Sequence, residues 1–319
     1  MTVGVDETAT AGIPLPSGLS VRVRVPASSA NLGPGFDCLG IALGIYDEVV
    51  VETAESDVVV DVQGEGAADV PRDGTHLVAR CLARGLAHAG YYAAGLKLRC
   101  VNVIPHSRGL GSSAAAAVSG FAAASGLLAA AGVGTGLSQD ELVQLSSEVE
   151  GHPDNAAASV LGSAVVTWTD HESGQDFFRA RRLSVHPDIT ATVFIPDTES
   201  STAYTRGLLP ADVPRTDAIF NVSRSALAVV ALTSDPSSLL AATEDRLHQS
   251  YRAPAMPQTA ELVSALRARG FAATVSGAGP TVLVLSVRPV PAEIRDLAVA
   301  AGFVPRTVAV AGGVEITTS

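Results

Sequence analysis

Alternating apolar and polar positions divide the first half of the chain into strands and helices. Period-two runs predict strands at residues 19–26, 49–52, 58–62, 96–104 and 164–168. A helix is predicted after a Thr75 cap, with Gly90 at its C-terminal end, because apolar residues recur there at helical spacing. The apolar positions of that helix are Leu77, Val78, Cys81, Leu82 and Leu86.

Two further helices are predicted in this half. The first is an alanine-rich run that follows Gly111, and the second spans residues 139–150. Ser138 and Glu141 stand at the positions of a capping box, which indicates where the second helix begins. Between the first two predicted strands, residues 26–37 are expected to form a loop.

A second group of predicted strands and helices begins near residue 180. Strands are predicted at residues 189–196, 271–276, 281–287 and 303–310, and helices at residues 216–233, 237–249, 258–269 and 291–301. This order approximates a β-α-β-β-α-β unit. We therefore expect an α+β protein with two domains, residues 18–180 and 181–319, after a disordered N-terminal extension at residues 1–17.

Residues 105–117 carry the most informative chemistry. The segment follows a predicted strand, contains Gly109 and Gly111, and enters the alanine-rich helix. A glycine lacks a Cβ, so the backbone can bend there and approach a ligand closely. The amide groups of residues 112–114 would then face an anion at the positive end of the helix dipole, and two serine hydroxyls could bind phosphate oxygens or a metal. The sequence therefore predicts a phosphate site.

Two other glycine motifs could occupy the same residues. A Walker P-loop requires a lysine after its last glycine, and the single lysine of this chain, Lys97, lies on the incoming strand. Residues 109–114 do fit the dinucleotide pattern, but no second strand ending in an acidic residue follows about 20 residues later. The sequence excludes the first motif and disfavours the second.

Composition and charge narrow the class of protein. The 319 residues carry 21 Lys and Arg against 32 Asp and Glu, a net charge of −11, which argues against nucleic-acid partners. Cys38, Cys81 and Cys100 lack metal-ligand spacing and are expected to be reduced core residues. Residues 109–138 are uncharged, but Ala, Gly and Ser gain little in lipid, so a buried helix is expected rather than a membrane span. The N-terminus lacks the basic start and apolar core of a signal peptide.

Three segments together resemble the motifs of one family. Residues 26–37 read Pro-Ala-Ser-Ser-Ala-Asn-Leu-Gly-Pro-Gly-Phe-Asp, residues 105–114 read Pro-His-Ser-Arg-Gly-Leu-Gly-Ser-Ser-Ala, and residues 274–281 read Thr-Val-Ser-Gly-Ala-Gly-Pro-Thr. In order and spacing they are similar to the three motifs of the GHMP small-molecule kinases, and the first has the form typical of the homoserine branch. Residues 150–155, Glu-Gly-His-Pro-Asp-Asn, resemble the same branch. The resemblance covers nearly the whole chain.

The resemblance implies a fold, a reaction and its cofactors. The expected fold is a first domain like domain 2 of ribosomal protein S5 and a ferredoxin-like second domain. The implied reaction is ATP-dependent phosphorylation of the side-chain hydroxyl of L-homoserine, with Mg²⁺, in threonine biosynthesis. We also expect a cytoplasmic homodimer with no nucleic-acid or membrane partner. The implied ATP-binding residues are Pro105, His106, Ser107, Arg108, Gly109, Leu110, Gly111, Ser112, Ser113, Ala114 and Ala115.

The family position of the metal site points to one carboxylate and one serine. Ser112 or Ser113 is the implied hydroxyl ligand of Mg²⁺. Glu150 is the implied carboxylate, with Glu148 as the second choice. One carboxylate and one hydroxyl are enough for an oxygen-rich Mg²⁺ site that retains waters.

The charges of an amino-acid substrate would be matched by side chains from both halves of the chain. Asp37 and Asn31, on the first motif, are implied to bind the ammonium group. Arginine suits a carboxylate better than lysine because its guanidinium makes paired hydrogen bonds. Arg206 and Arg252 match the family's positions for this contact. The substrate is therefore expected in the cleft between the domains.

Asp154 and Asn155 leave the catalytic mechanism open. Other branches of the family place an aspartate here as general base, whereas the homoserine branch is thought to orient the hydroxyl with the asparagine. Neighbouring residues of an extended segment face opposite ways, so only one of the two is expected to face the substrate. We expect Asn155 to orient the hydroxyl, since a loose transition state lets the proton leave late, with Asp154 as the alternative base. His152 is assigned no role.

Three alternative functions are weighed against this one. A related kinase could act on another small alcohol, such as mevalonate or shikimate. An S5-like fold could instead bind RNA without catalysis, but the acidic charge and the intact phosphate loop argue against it. A dehydrogenase is disfavoured because the ribose-binding acid of the dinucleotide motif is missing.

Overall fold

The computed structural model describes residues 12–318 of the chain, apart from the side chain of Thr202. In chain order the strands are β1 (Ile13–Pro14), β2 (Ser20–Asn31), β3 (Gly35–Ala54), β4 (Val58–Gly64), β5 (Tyr91–Tyr92), β6 (Gly95–Asn102), β7 (Ala164–Glu172), β8 (Gln175–Leu183), β9 (Thr190–Pro196), β10 (Ala272–Val275), β11 (Val282–Ser286), β12 (Phe303–Val308) and β13 (Glu315–Thr318). The α-helices are α1 (Leu77–His88), α2 (Ser112–Ala130), α3 (Gln139–Glu150), α4 (Asp154–Leu161), α5 (Thr202–Gly207), α6 (Arg215–Thr233), α7 (Leu239–Ala242), α8 (Gln249–Arg252), α9 (Pro257–Arg267) and α10 (Ala292–Ala300).

The larger of the two main sheets has seven strands and forms the first domain. Its central path is β13-β2-β3-β6-β4, and β7 pairs with β3 on one side and with β8 on the other. β4 and β6 run parallel, whereas the other neighbours are antiparallel. Along most of β3, fully buried residues alternate with more exposed ones. One face of this sheet therefore packs against the helices of the domain.

Helix α2 lies at the centre of the first domain. It packs against α1, α3, α4 and β2, and most of its residues are buried. Small residues permit this, since a Cβ at Gly120 would meet the backbone of α1. Among the described residues α2 is the one helix long and apolar enough to cross a membrane, but 78% of its most apolar window is buried inside the protein. The expected buried helix is confirmed.

The second sheet has four antiparallel strands in the order β10-β11-β9-β12. Helices α5 to α9 lie between β9 and β10 in the chain, and α10 lies between β11 and β12. This is the predicted β-α-β-β-α-β order. Apolar residues of α9 and α10 form a core with the sheet, for example Leu266 and Ile294 with Phe194. The two-domain α+β fold is therefore confirmed.

Two predicted helix features are wrong because aspartate side chains bind nearby backbone amides. The single helix expected at residues 237–249 is instead a 3-10 turn at Pro236–Ser238 followed by the short helix α7. After α7 the backbone is irregular, because the Asp245 carboxylate accepts hydrogen bonds from the amides of residues 247–249. Thr75 does not cap α1, because its amide and hydroxyl both donate to Asp73 and α1 begins after His76. Such local hydrogen bonds compete with helix formation.

The predicted loop at residues 26–37 is mostly strand. β2 continues to Asn31 and β3 begins at Gly35, so only residues 32–34 form the turn. The strands β8 and β13 were not predicted, since β8 is rich in charged residues and β13 is short and exposed. β13 pairs with β2, which places the last strand of the predicted second domain in the sheet of the first.

The N-terminal prediction is wrong where it can be compared with the structure. Residues 1–11 of the predicted disordered extension lie outside the described residues. β1 pairs in parallel with β5, and Leu15 is buried. Residues 12–17 are therefore attached to the first domain rather than disordered.

Candidate active site

Three turns meet at a cavity of about 550 Å³ between the two sheets. They are the β2–β3 turn of the first motif, the loop before α2, and the β10–β11 turn of the third motif. Gly277 N donates to Ala30 O at 3.1 Å, and Ser276 Oγ donates to Gly109 O at 2.6 Å, so the third motif is bonded to both others. The cavity lies in the cleft in which the sequence places the substrate.

The loop before α2 passes close to other chain segments at its two glycines. Gly109 and Gly111 have φ values of 75° and 69°, a region that favours glycine. A Cβ at Gly109 would meet the carbonyls of Ser276 and Gly279, and one at Gly111 would meet Ser28 Oγ. The packing of the protein itself therefore requires glycine at both positions, whether or not a ligand is bound.

The N-terminal end of α2 lies at the cavity. Gly111 precedes the helix in a left-handed conformation, and Ala115 N donates to Gly111 O at 2.8 Å. The amides of residues 112–114 come before that bond, so they have no acceptor within the helix. The first turn carries no acidic side chain. The positive end of the helix dipole is therefore open to an anion.

The predicted ATP-binding residues fall into two groups. Those that line this cavity or its neighbour are His106, Ser107, Gly109, Gly111, Ser112 and Ser113. Those that line neither, and are buried, are Pro105, Leu110, Ala114 and Ala115. Arg108 also lines neither, because its guanidinium donates to the carbonyls of Pro196 and Asp197. Arg108 therefore holds the loop to the segment after β9.

A second cavity of about 290 Å³ lies on the other side of the same loop. Residues Ser107, Ser112 and Ser113 line both cavities. The smaller cavity is also lined by Asn102 and by His76, whose Nδ1 is buried and makes no hydrogen bond within the described residues. Burial lowers the pKa of His76, which favours the neutral imidazole. The smaller cavity also contains the Asp47 carboxylate, whose Oδ1 accepts from the amides of Val103 and Ile104.

One carboxylate contacts the phosphate loop. Ser113 Oγ donates to Glu150 Oε1 at 2.7 Å. Burial raises the pKa of Glu150, although the hydrogen bond from Ser113 and the charge of His152 oppose this. A carboxylate in this state is stabilised by a bound cation, so the pair fits the expected Mg²⁺ site of one hydroxyl and one carboxylate. Within residues 12–318, no group of three or more His, Cys, Asp or Glu side chains is gathered into a metal site.

The other two predicted metal ligands are placed differently. Glu148 lies on α3 with Glu150, but its carboxylate pairs with Arg84 of α1 and accepts from Gln144. Ser112 lines both cavities and has no hydrogen bond with Glu150 among the described contacts. The structure therefore favours Ser113 and Glu150 over Ser112 and Glu148 as the pair for a metal.

Asp154 and Asn155 begin α4, and both line the larger cavity. The expectation that only one of them faces the cavity is wrong, because it assumed extended backbone, whereas successive helical residues lie about 100° apart. Asn155 Oδ1 accepts from Ser28 Oγ at 3.0 Å. Asp154 Oδ1 accepts from Asn155 N at 2.7 Å and lies 2.9 Å from His152 Nδ1.

His152, which was assigned no role, lies in the cavity wall. The hydrogen bond to Asp154 raises the pKa of His152 above its ordinary value, against the effect of burial. The Asp154 carboxylate that receives this bond is almost fully buried. The raised pKa favours a protonated imidazole beside Asp154 and Glu150.

Asp37 and Arg206 pair with each other. The Arg206 guanidinium donates two hydrogen bonds of 2.8 Å to the Asp37 carboxylate, and both side chains are partly exposed. The hydrogen bond to Asp37 raises the pKa of Arg206. The structure brings together the two residues that were predicted to bind opposite charges of the substrate, and joins them as an ion pair.

Arg252 is buried at the cavity wall, and its guanidinium forms no ion pair with a carboxylate of the described residues. Its side chain is the largest among the fully buried residues, with 1% exposure. Nη1 donates to Gly277 O at 3.2 Å, and within residues 12–318 no carboxylate forms an ion pair with it. Burial and the nearby Arg206 lower the pKa of Arg252. An anion in the cavity would therefore meet a buried positive charge that Asp37, Asp245 and Asp154 stabilise only from a distance.

Asn31 joins the first motif to the third. Its Nδ2 donates to Gly277 O at 2.9 Å, and its Oδ1 accepts from Asp37 N at 3.0 Å. The residue has φ of 74° and is buried. These contacts support a positioning role, and direct binding of a substrate ammonium by Asn31 stays a prediction.

Two family models match the chain at the segments that form this cleft. The model described as "GHMP kinases N terminal domain" matches residues 76–163, which contain the loop before α2. The model described as "GHMP kinases C terminal" matches residues 228–300, which contain the third motif. The chain belongs to the GHMP kinase family.

Several similar members of the GHMP family carry the name homoserine kinase. One from Rhodococcus erythropolis is 59% identical over 310 residues, which are 96% of this chain and 99% of the relative. The crystal structure of homoserine kinase from Cytophaga hutchinsonii superposes with a TM-score of 0.81 at 24% identity, covering 93% of this chain and 97% of that one. A putative homoserine kinase from Listeria monocytogenes has a TM-score of 0.68 at 30% identity, covering 93% and 99%.

This GHMP kinase also places residues at its site that the sequence did not single out. Ser28 and Ser276 bond the motifs together, and both lie inside motif segments whose serines could have been noted. The Phe36 ring contacts both arginines, because the guanidinium carbons of Arg206 and Arg252 lie 5.4 and 5.3 Å from its centre. It directly precedes Asp37, which is its only sequence signal.

Proposed function

We propose that the protein transfers the γ-phosphoryl group of ATP to the side-chain hydroxyl of L-homoserine and forms O-phospho-L-homoserine, a step toward threonine. The observation that carries the proposal is a single cleft with two different walls. One wall holds the N-terminal end of α2, and the other holds Asp37, Arg206 and Arg252. The 59% identity to a homoserine kinase along almost the whole chain supports the choice of substrate.

ATP would extend across the loop before α2. The smaller cavity would take the nucleoside, because the His76 imidazole and the Asn102 amide line it with hydrogen-bonding groups, and the Asp47 carboxylate there already accepts two backbone amides. The phosphates would lie against the amides of residues 112–114, with the serines that line both cavities beside them. No lysine is present on this loop, so backbone amides and the helix dipole would supply most of the attraction.

Ser113 and Glu150 would hold Mg²⁺ beside the phosphates. A bound Mg²⁺ supplies neutralisation of the charge on the phosphoryl oxygens. Before a cation binds, the Ser113 hydroxyl donates to the Glu150 carboxylate, which keeps both ligands in one place. His152 would balance the negative charge of Asp154 behind them.

L-Homoserine would replace the Asp37–Arg206 ion pair with two new pairs. Its ammonium would bind Asp37, and its carboxylate would bind Arg206 together with Arg252. The pair that opens is partly exposed, and such pairs are worth about 0–1 kcal/mol. Arg252 is buried and forms no ion pair with a described carboxylate, so the substrate carboxylate gains most there. A ligand with only one of the two charges would break the Asp37–Arg206 ion pair and leave one of these side chains unpaired. The site therefore favours a zwitterionic substrate over a ligand with a single charge.

Asn155 would orient the attacking hydroxyl. Its Oδ1 is bonded to Ser28, and its Nδ2 has no protein partner among the described contacts. Asp154 Oδ1 is bonded to His152 and to the Asn155 amide, and taking a proton would remove the negative charge that strengthens both hydrogen bonds. A loose transition state does not require early proton removal. We therefore assign orientation to Asn155 and support of Asn155 to Asp154.

The proposal includes a cytoplasmic homodimer that acts on small molecules and binds no nucleic acid or membrane. The net charge of −11 supports the exclusion of nucleic acid, and the burial of α2 supports the exclusion of a membrane. Sedimentation equilibrium should give twice the chain mass of 32.4 kDa. A monomer at all concentrations would contradict the dimer.

ADP release with L-homoserine, mevalonate, shikimate and galactose tests the substrate. We expect L-homoserine to be by far the best acceptor, with O-phospho-L-homoserine identified by mass spectrometry. 3-Aminopropanol, which lacks the carboxylate, should be very poor. Faster turnover of mevalonate or shikimate would indicate a related kinase, and RNA retention on a filter without ADP release would indicate a non-catalytic binding protein.

A further inference from the structure

The direction of the Arg252 side chain depends on neighbours outside the cavity. Arg252 ends α8, a helix of only four residues. Its guanidinium contacts carbonyl oxygens and one imidazole nitrogen, His248 Nδ1, at 3.3 Å from Nη1. A buried guanidinium without a carboxylate partner needs such acceptors to stay in one orientation.

His248 can act as that acceptor because its other nitrogen is committed. His248 is fully buried, and its Nε2 lies 2.7 Å from Gly33 O. A carbonyl only accepts, so Nε2 carries a proton and donates to Gly33. Burial lowers the pKa of His248, which favours the neutral ring and leaves Nδ1 as an acceptor for Arg252.

Asp245 fixes the backbone that carries this imidazole. Its carboxylate is fully buried and accepts the amides of Leu247, His248 and Gln249 at 2.8–3.0 Å. It also accepts from Asn221 Nδ2 at 2.9 Å, which ties the turn to α6. Four donors satisfy the carboxylate, so its position and the start of α8 are fixed together.

The same imidazole holds the turn of the first motif. Gly33 packs so closely on this segment that a Cβ there would meet the backbone of Thr243. The next residue, Pro34, accepts at its carbonyl from Asn221 Nδ2 and from Ser225 Oγ. The turn leads directly to Asp37. His248 therefore contacts both the cationic end of the cleft and the turn that carries its anionic end.

We infer that Asp245 and His248 are positioning residues for the amino-acid substrate. Asp245 places the imidazole, and the imidazole aims Arg252 into the cleft and fixes its separation from the Asp37 turn. The inference rests on the proposed function, in which Arg252 and Asp37 bind the carboxylate and the ammonium of one substrate.

Two substitutions separate the two hydrogen bonds of the imidazole. His248→Gln places an amide near the Nε2 position, so it keeps a donor for Gly33 and removes the acceptor for Arg252. His248→Asn places an amide near the Nδ1 position and does the reverse. We expect His248→Gln to raise the KM for L-homoserine by about 10- to 100-fold, with the KM for ATP unchanged, and His248→Asn to raise it less. His171→Gln, on the exposed β7–β8 hairpin, is the matched control and should change neither constant.

Coupling to Arg252 distinguishes positioning from a general structural role. In an Arg252→Leu background, His248→Gln should not raise the KM for L-homoserine further, because its effect passes through Arg252. The inference would be overturned if the double variant raised the KM by the product of the two single effects. An unchanged KM in His248→Gln alone would also overturn it. If thermal unfolding shows that His248→Gln does not fold, Asp245→Asn is measured in its place with the same expected result. The proposed function is tested separately with the wild-type protein. If the wild type does not phosphorylate L-homoserine, the proposed function is wrong, whatever the variants show.

Discussion

The two walls of the cleft are assembled from very different spans of the chain. On the phosphate wall, the loop before α2 and the end of α3 belong to one domain, and Ser113 and Glu150 are 37 positions apart. On the substrate wall, Asp37 and Arg206 are 169 positions apart and Arg252 lies on another short helix. The first wall is therefore built from residues that lie close together in the chain, whereas the second wall combines residues from distant parts of it.

The two walls also differ in whether their polar groups have hydrogen-bond partners before a ligand binds. The amides of residues 112–114 have no acceptor within α2, so they are ready for an anion. Asp37 and Arg206 instead satisfy each other. A wall with free donors binds any anion that fits, whereas a wall with a pair to open discriminates between ligands. We infer that nucleotide binding depends on the first wall and substrate choice on the second.

The largest expected effect comes from the phosphate wall. Gly111→Val should abolish activity, because a side chain there would meet Ser28 and disturb Asn155 as well as the phosphates. Gly132→Val is the matched control, since Gly132 has nearly the same φ, 70° against 69°, with no atom within 4 Å of its added Cβ. Both variants are assayed for ADP release and for ATP binding by calorimetry. Normal ATP affinity in Gly111→Val, with the protein folded, would show that the phosphate wall is assigned wrongly.

The contrast between the walls also explains what the sequence could predict. The loop with its two glycines, the start of α2 and the capping box at Ser138 were predictable, because each has a signal within a few residues of sequence. The strand β13 and the pairing of Asp37 with Arg206 were not, because each depends on a partner more than 100 positions away. Arg252 was predictable as a site residue only through the family resemblance. Its burial without an ion pair to a described carboxylate appears only in the folded chain.

The next effect concerns the point where the walls meet, at the start of α4. Asn155→Leu should lower kcat by about 10²-fold, because the hydroxyl loses its orienting amide. Asp154→Asn should retain substantial activity, since our assignment gives Asp154 no proton to accept. Loss of a true general base costs about 10²- to 10⁴-fold in rate. A fall of that size in Asp154→Asn, with the KM for L-homoserine unchanged, would move the catalytic role to Asp154.

The two arginines of the substrate wall should differ in their effects. Arg252→Leu should raise the KM for L-homoserine by about 10- to 100-fold, because a buried charge-assisted hydrogen bond of about 1.5–3 kcal/mol is lost. Arg206→Leu should raise it less, since Arg206 is partly exposed and must first leave Asp37. Steady-state kinetics with each substrate varied in turn measure both effects. Equal effects of the two variants would contradict the difference between the two arginines, and a matching rise in the KM for ATP would contradict the separation of the two walls.

The smallest effect tests which serine belongs to the metal site. Ser113→Ala should shift the Mg²⁺ midpoint of activity upward by a few-fold at saturating ATP, because Ser113 is bonded to Glu150 and Ser112 is not. Ser112→Ala is the matched control on the same turn and should leave the midpoint near its original value. The reverse order would assign the metal to Ser112.

The unfolding temperature of Glu150→Gln gives a second test of the metal site, independent of the reaction rate. Burial raises the pKa of Glu150 in the folded protein, so the ionised carboxylate disfavours folding at neutral pH, and this penalty fades as the pH falls through the folded pKa. The Gln variant lacks the penalty. In EDTA its unfolding temperature at pH 7.5 should therefore equal or exceed that of the wild type. Added Mg²⁺ should then raise the unfolding temperature of the wild type and not that of Glu150→Gln. An equal Mg²⁺-dependent rise in both proteins would place the cation away from Glu150, and the phosphate wall would lose its only assigned carboxylate.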